Sequence, residues 1–343
     1  MTKSDFSEVK ELLSQPKKIV IIPHKNPDGD AMGSSLGLYK YLKNNGHSPT
    51  VLAPTPYPKF LQWLPNNDTV EIFDEKDDAK ISLIAQADIL FFMDFNTLER
   101  VEEIKPFVDK SDAVKIMIDH HQQPDSFPDY TYSDTSICAT SQMLYHFFEN
   151  IDEVDEIDAD IATCIYTGIL TDTGSFRYPS TTSTTHRIVA DLIDRGAVNY
   201  EIHNNVFDGN TMARMKLMGV ALNNLVVLKD YKSAYITMTR KELRANNFQK
   251  GDTEGFVNMA LSVEGMNVAA IFIEDLEGDF VKISLRSKGK FSVNQMSRDN
   301  FNGGGHINAA GGRVDLPIAE VVEIFKKAVE KNKEAIINST NEK

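Results

Sequence analysis

KKIVIIPHKNPDGDAMGSSLGLYKYLKNNG, residues 17–46, decides the fold class. Its opening apolar, β-branched run has the pattern of a strand buried on both faces, and the run stops at Pro23. From Met32 to Asn45 the spacing predicts a helix. Met32, Leu36, Tyr39 and Leu42 fall on one side of it, and Asn45-Gly46 ends it. A buried strand, a polar turn and a helix in succession are the first unit of an α/β sheet.

The same unit recurs outward from this stretch. SPTVLAP (48–54), ADILFFMDF (87–95) and AVKIMIDHH (113–121) are further strands. Helical patterns cover Ala139–Asn150, Asp158–Leu170 and Thr184–Arg195, the last stopped by Gly196. The expectation is an α/β protein whose N-terminal part is a doubly wound, mainly parallel sheet with helices on both faces. Thr211–Leu225 reads as a connecting helix. Beyond it, SAYITMT (233–239), MNVAAIFIED (266–275) and DFVKISLRS (279–287) are strands, with helices over Thr253–Ser262 and Ile318–Asn332. This predicts a first domain over 1–200, a helical linker over 201–225 and a smaller α/β domain over 226–343, its NSTNEK tail fraying.

Composition excludes several classes. The 343 residues suffice for two cores, and 25% charged with 9% aromatic residues is ordinary for a globular chain. A net charge of -14 argues against a broad basic surface that grips long nucleic acid. The N-terminal stretch lacks a secretory h-region and apolar runs such as ILFFM fall short of a membrane span, so the expected location is the cytoplasm, with no membrane partner. Cys138 and Cys164, the two cysteines, have neither metal-type nor redox-type spacing and read as small buried hydrophobes.

Acids and histidines fall where strands end. The first strand runs into His24, Asp28 and Asp30, the ILFFM strand into Asp94, and the KIMI strand into Asp119, His120 and His121. Carboxyl ends of parallel strands form the crevice where ligands bind. Asp172, in GILTDTGSF, follows a helical run and approaches from the side. Singly, Asp28, Asp30 or Asp94 reads as a cap or turn residue; together, at successive strand ends, they are not explained by capping. So many acids with imidazoles are costly without a cation, and the histidines favour Mn²⁺ over Mg²⁺, with enough ligands for two ions. His47, His146, His186 and His203 are isolated and read as surface or packing residues.

HKNPDGD, the aspartate of FFMDF, DHH and the aspartate of GILTDTG resemble, in order, the four motifs of the DHH phosphoesterase superfamily. SLRSKGKFSV and FNGGGHINAAGG resemble the companion domain of its first subfamily. The resemblance implies two divalent ions, Mn²⁺ first with Mg²⁺ or Co²⁺ as substitutes. One would be held by His24, Asp28 and Asp94, the other by Asp30, Asp94, His120 and Asp172. It further implies catalytic roles for Asp94, for Asp119 as support of the neighbouring histidines, and for His121 at the scissile phosphate or leaving group.

In the second domain Lys282, Arg286, Lys288, Lys290, Arg298 and Arg313 outweigh Asp299 and Asp315, an anion-site pattern in an acidic chain. Gly303, Gly304 and Gly305 would leave N–H groups open to phosphate oxygens, with Arg286, Ser287 and His306 beside them. The family pattern has a further glycine where this chain has Asn302. The implied function is a Mn²⁺-dependent phosphohydrolase that degrades short single-stranded RNA to nucleoside monophosphates and dephosphorylates 3′-phosphoadenosine 5′-phosphate (pAp). It would act as a possible homodimer and without long duplex partners. The alternative is a cyclic di-AMP or pApA phosphodiesterase; inorganic polyphosphate hydrolysis and a non-catalytic nucleotide sensor rank lower.

Overall fold

Ile19, Val20, Ile21 and Ile22 are all buried because helices cover both faces of the strand they form. In the computed structural model, which describes residues 1–340 other than Glu102, the chain divides into two units, Met1–Gly209 and Asn210–Lys343.

The first unit contains strands β1 (Lys18–Pro23), β2 (Ser48–Ala53), β3 (Glu71–Ile72), β4 (Ile89–Met93), β5 (Val114–Asp119) and β6 (Tyr130–Ser133). They lie in the order β3-β2-β1-β4-β5-β6, and every neighbouring pair is parallel. Its helices are α1 (Lys3–Leu12), α2 (Gly29–Asn44), α3 (Asp78–Ala85), α4 (Lys105–Val108), α5 (Thr140–Asn150), α6 (Ala159–Asp172), α7 (Ser183–Asp194) and α8 (Asn199–His203). Alternate strand residues point to opposite sides. Ile19, Ile21, Phe91, Met93, Ile116 and Ile118 join the core with α2, α5 and α6, while Val20, Ile22, Leu90, Phe92 and Met117 pack against Ile84 of α3 and Val108 of α4. The strand order reverses between β1 and β4, so the switch-point crevice opens at the carboxyl ends of those two strands.

Helix α2 lies very close to α6. Gly29, Gly33 and Gly37 recur every fourth residue along α2, and a Cβ on Gly33 would lie 2.5 Å from the Cys164 carbonyl oxygen of α6. Helix α2 begins at the crevice and α6 ends there. The structure starts α2 at Gly29 rather than Met32 because Asp28 caps it, and carries α6 to Asp172. Strand β6 (YTYS) carries no apolar run because it is half-buried at the edge of the sheet.

The second unit contains α9 (Met212–Asn223), β7 (Val226–Leu228), β8 (Ser233–Met238), α10 (Arg240–Ala245), α11 (Phe256–Ser262), β9 (Val268–Glu274), β10 (Val281–Ser287), α12 (Val293–Asn300), β11 (Gly304–Gly305), β12 (Ala309–Val314), α13 (Ile318–Lys331) and α14 (Lys333–Asn338). Its sheet runs β11-β12-β10-β9-β8-β7 and is antiparallel except between β8 and β9. Of the segment 201–225, Ile202 joins the first unit's core, whereas Leu217 and Ala221 of α9 join the second's. The terminal NST does not fray: Asn338 closes α14, and Ser339 is buried with its carbonyl accepting from Lys290 N at 3.0 Å. The last three residues, 341–343, lie outside the described residues. No helix among the described residues is long and apolar enough to cross a membrane.

Candidate metal centre

The chain leaves β1 at Pro23 and turns His24 inward. Its Nδ1 lies 2.8 Å from the Lys25 carbonyl, which can only accept, so Nδ1 carries the proton and Nε2 faces the crevice. Nε2 lies 3.8 Å from Asp28 Oδ2 and 3.5 Å from Asp94 Oδ2. Asp28 divides its work between its two oxygens. Oδ1 accepts from the N–H groups of Asp30 (3.0 Å) and Ala31 (3.1 Å) as the α2 cap, leaving Oδ2 toward His24.

Strands β4 and β5 deliver the next residues. Asp94 follows β4 in the left-handed region, φ 66°, a conformation uncommon outside glycine and found at functional sites; its N–H donates to the Ile118 carbonyl at 3.1 Å. His120 follows β5 and donates from Nδ1 to the Ile137 carbonyl at 3.1 Å, so its Nε2 also faces the crevice. That atom lies 3.5 Å from Asp94 Oδ1, 3.5 Å from Asp172 Oδ2 and 3.9 Å from Asp30 Oδ2. Asp119, fully buried, accepts from His121 Nδ1 at 2.7 Å and from the His121 N–H at 3.1 Å. Two donor sets result, His24/Asp28/Asp94 and Asp30/His120/Asp172, with Asp94 turning one oxygen to each.

Reasoning from residue type does not find Thr140, Ser141 and Gly168. Asp30 Oδ2 accepts from Thr140 N at 2.6 Å and Oδ1 from Ser141 N at 2.8 Å, and Thr140 Oγ1 donates to Asp94 Oδ1 at 2.8 Å. A Cβ on Gly168 would collide with Ser141 and lie 2.8 Å from Asp30 Oδ1. One signal was present: α5 starts at Ala139-Thr140 with no capping side chain of its own, and a helix N-terminus left without a cap takes one from elsewhere.

The electrostatics follow from burial. Desolvation pulls the His24 imidazole down, but hydrogen bonds to Asp28 and Asp94 outweigh it and lift it to about 10, even against the Arg100 guanidinium. His120 is likewise drawn down by burial and lifted to about 9 by Asp172, Asp94 and Asp30. Burial, with Asp28 and Asp94, raises Asp172 to about 7 against the pull of His120. Burial, then Asp94 and Asp172, push Asp30 well above the usual carboxylate range. Asp94 resists its own burial and is held far below that range by the His24 hydrogen bond and three nearby imidazoles. Without a cation the cluster favours protons on His24 and His120, both of which turn Nε2 toward the crevice as a cation ligand would. Oxygen and imidazole donors of this kind suit a hard or borderline divalent ion.

The second unit places its expected residues along β10 and the β11–β12 hairpin. Arg286 donates from Nη1 to the Leu285 carbonyl at 3.0 Å, while its Nε is buried without a partner among the described residues. Ser287 Oγ donates to the Phe291 carbonyl (2.7 Å) and accepts from Asn308 (2.9 Å), bracing the loop. Asn302 has φ 50°, so the residue standing in place of the family's glycine is one that tolerates the left-handed region. A Cβ on Gly303 would strike the Gly311 carbonyl, and Gly305 has φ 145°. A Cβ on Gly304 would meet the Asn294 and Arg298 side chains at ordinary contact distance, 3.6 Å and 3.9 Å. The His306 N–H donates to the Ala309 carbonyl at 2.7 Å, closing the hairpin.

Residues 18–169 match the DHH family, N-terminal domain, and residues 231–335 match the DHHA1 domain. A protein of Thermus thermophilus named bifunctional oligoribonuclease and PAP phosphatase NrnA is 32% identical over 293 residues, 85% of this chain and 83% of that one. The chain belongs to the DHH family. A similar solved structure, an exopolyphosphatase-related protein from Bacteroides fragilis, is 38% identical with a TM-score of 0.93, covering 98% of both chains. The cyclic-di-AMP phosphodiesterase GdpP of Geobacillus thermodenitrificans is 24% identical over 338 residues, 94% of this chain but 48% of that protein. Within the DHH stretch lie all the acids and histidines of the crevice except Asp172, which falls just past its end.

Proposed function

We propose that this chain is a metal-dependent phosphoesterase that hydrolyses short oligoribonucleotides to nucleoside monophosphates and dephosphorylates pAp. The observation that carries the reading is the division of Asp94, whose Oδ2 faces His24 and whose Oδ1 faces His120, each at 3.5 Å. His24, Asp28 and Asp94 would hold one divalent ion, and Asp30, Asp94, His120 and Asp172 the other, Mn²⁺ suiting the imidazole content. When bound, such a pair supplies Lewis-acid polarisation and makes water a nucleophile at neutral pH.

The chain's own residues supply the remainder. Asp119 accepts a hydrogen bond from Nδ1 of His121 and so fixes that ring, directing Nε2 toward the leaving oxygen, to which the imidazolium form would give its Nε2 proton. Arg286, whose Nε is buried without a partner among the described residues, is suited to a terminal phosphate, and Gly304, which has no side chain, lets a phosphate come close to the hairpin. At -14 net charge, affinity for long RNA has little electrostatic support, which favours a mononucleotide or a short strand.

The likeness to GdpP favours a second reading, cyclic di-AMP or pApA hydrolysis. One panel separates them: Mn²⁺-dependent AMP release from pAp, pApA, a five-nucleotide RNA and a long RNA, conversion of cyclic di-AMP to pApA or AMP, and phosphate release from pyrophosphate. Fast turnover of pAp, pApA and short RNA with little attack on the cyclic compound is the expected result. Equal or faster hydrolysis of cyclic di-AMP moves the function to the second reading, and a Mn²⁺-loaded protein that turns over none of them overturns both.

A further inference from the structure

Thr140 touches both acids on which the two donor sets depend, although it has no metal-ligand chemistry of its own. Its backbone N–H donates to Asp30 Oδ2 at 2.6 Å, and its hydroxyl donates to Asp94 Oδ1 at 2.8 Å. The residue is completely buried at the first turn of α5, whose N-cap Ala139 has no capping side chain and whose first N–H groups are taken by the Asp30 carboxylate. The Asp94 carboxylate otherwise faces the imidazoles of His24, His120 and His121, so the Thr140 hydroxyl is the neutral donor that selects which oxygen faces which histidine.

We infer that Thr140 is a positioning residue that holds Asp94 across the two metal positions, making the occupancy of one depend on the other. A hydroxyl donating to an ionised carboxylate is a strong, short, directional bond, and β-branching restricts the Thr140 side-chain rotation that would break it. With Oδ1 held beside His120, rotation of Asp94 about its Cβ–Cγ bond is blocked and Oδ2 stays beside His24. Because the N–H of the same residue anchors Asp30, a shift of α5 would move an acid facing His120 together with the shared acid. Partners of this kind around metal ligands typically change affinity by about 10–100-fold when removed. The inference rests on the two-ion reading of the crevice.

The test compares wild type, Thr140→Ser and Thr140→Val in the full chain. Mn²⁺ binding is followed by calorimetry and by the electron paramagnetic resonance signal of coupled Mn²⁺ pairs, with KM and kcat on pApA measured in parallel. Thr140→Ser keeps the hydroxyl and should stay within about threefold of wild type. Thr140→Val keeps the shape and should bind its second ion at least about tenfold more weakly, lose the coupled-pair signal at Mn²⁺ levels that saturate wild type, and lower kcat while KM changes little. If Thr140→Val binds two ions as wild type does, the positioning role is overturned. It is overturned equally if Thr140→Ser is as impaired as the valine variant, since the hydroxyl would then not be the operative group. Should Thr140→Val fail to fold, Thr140→Ala replaces it under the same criteria. A wild-type chain that binds no Mn²⁺ pair refutes the two-ion reading itself, which distinguishes the two failures.

Discussion

Asp94 Oδ2 lies 3.5 Å from His24 Nε2, and the aspartate reaches it from a left-handed backbone position, φ 66°. Asparagine tolerates that backbone as well as aspartate does. Asp94→Asn therefore keeps the fold while removing the charge shared by both donor sets. Mn²⁺-dependent turnover should fall by at least about 10³-fold, equivalent to ~4 kcal/mol of lost transition-state stabilisation. The His24 imidazole should drop from its value of about 10, as histidine NMR titration of the metal-free protein would show. Activity near wild type would remove Asp94 from the centre.

Asp119 accepts two hydrogen bonds from His121, one from the ring and one from the backbone. Replacing it by asparagine offers the ring an amide that can present N–H instead of oxygen, which favours the other tautomer. By analogy with other imidazoles held by a buried aspartate, kcat should fall by roughly 10²–10⁴-fold with Mn²⁺ affinity largely kept. A parallel loss of Mn²⁺ binding would instead make Asp119 part of the ligand framework.

Protons and cations compete for the same crevice, and this gives stability a pH dependence of definite sign. His24 rises from 6.5 to about 10, His120 from 6.5 to about 9 and Asp172 from 3.8 to about 7. Each group binds its proton more tightly in the folded chain. Its contribution is complete below the unfolded value and is lost as pH rises through the folded one. In chelator, Tm should therefore fall between about pH 6.5 and pH 9, and the rise in Tm on adding Mn²⁺ should grow over the same range. A Tm in chelator that is flat or rising there would contradict this charge balance.

Close approach of α2 and α6 positions the acids at the ends of both helices. Gly168→Ala would drive a methyl group into Ser141 and toward Asp30 Oδ1. We expect a loss of about 1–3 kcal/mol together with weaker Mn²⁺ binding. Gly37→Ala meets the Leu144 side chain at 3.3 Å, a contact that can relax, and should leave Mn²⁺ binding unchanged. Equal effects of the two changes on Mn²⁺ binding would separate the glycine contact from the acids.

The parallel sheet and its acids are legible because the information is local. β1 from Ile19 on and β4 are unbroken apolar runs followed directly by His24 and Asp94, and the apolar run Ile116–Ile118 of β5 leads straight into Asp119 and the two histidines after it. What is not legible is non-local or lacks chemistry of its own. Asp30 capping α5 joins residues more than a hundred positions apart, and Gly168 carries no functional group at all. Strand β11 escapes reading because two glycines signal a turn; their pairing with Gly311 and Ala310 exists only once the hairpin closes. The start of α2 is misplaced by apolar spacing because the cap, not the periodicity, sets a helix's first residue.

Arg286 bears on substrate length. Its Nη1 is spent on the Leu285 carbonyl, but its Nε is buried and unpartnered among the described residues, a costly state unless a ligand accepts from it. Leucine at this position removes the orphan donor without leaving a charge, so the folded chain should be no less stable, with Tm unchanged or slightly raised. If the donor serves a terminal phosphate, Arg286→Leu should raise KM for pAp and pApA by about 10–100-fold, the scale of one charge-assisted hydrogen bond, with kcat little changed. A substrate without a terminal phosphate, such as cyclic di-AMP, should be much less affected. Equal KM changes on pApA and cyclic di-AMP would mean that Arg286 does not read the phosphate end, and unchanged KM on both would remove it from the substrate site.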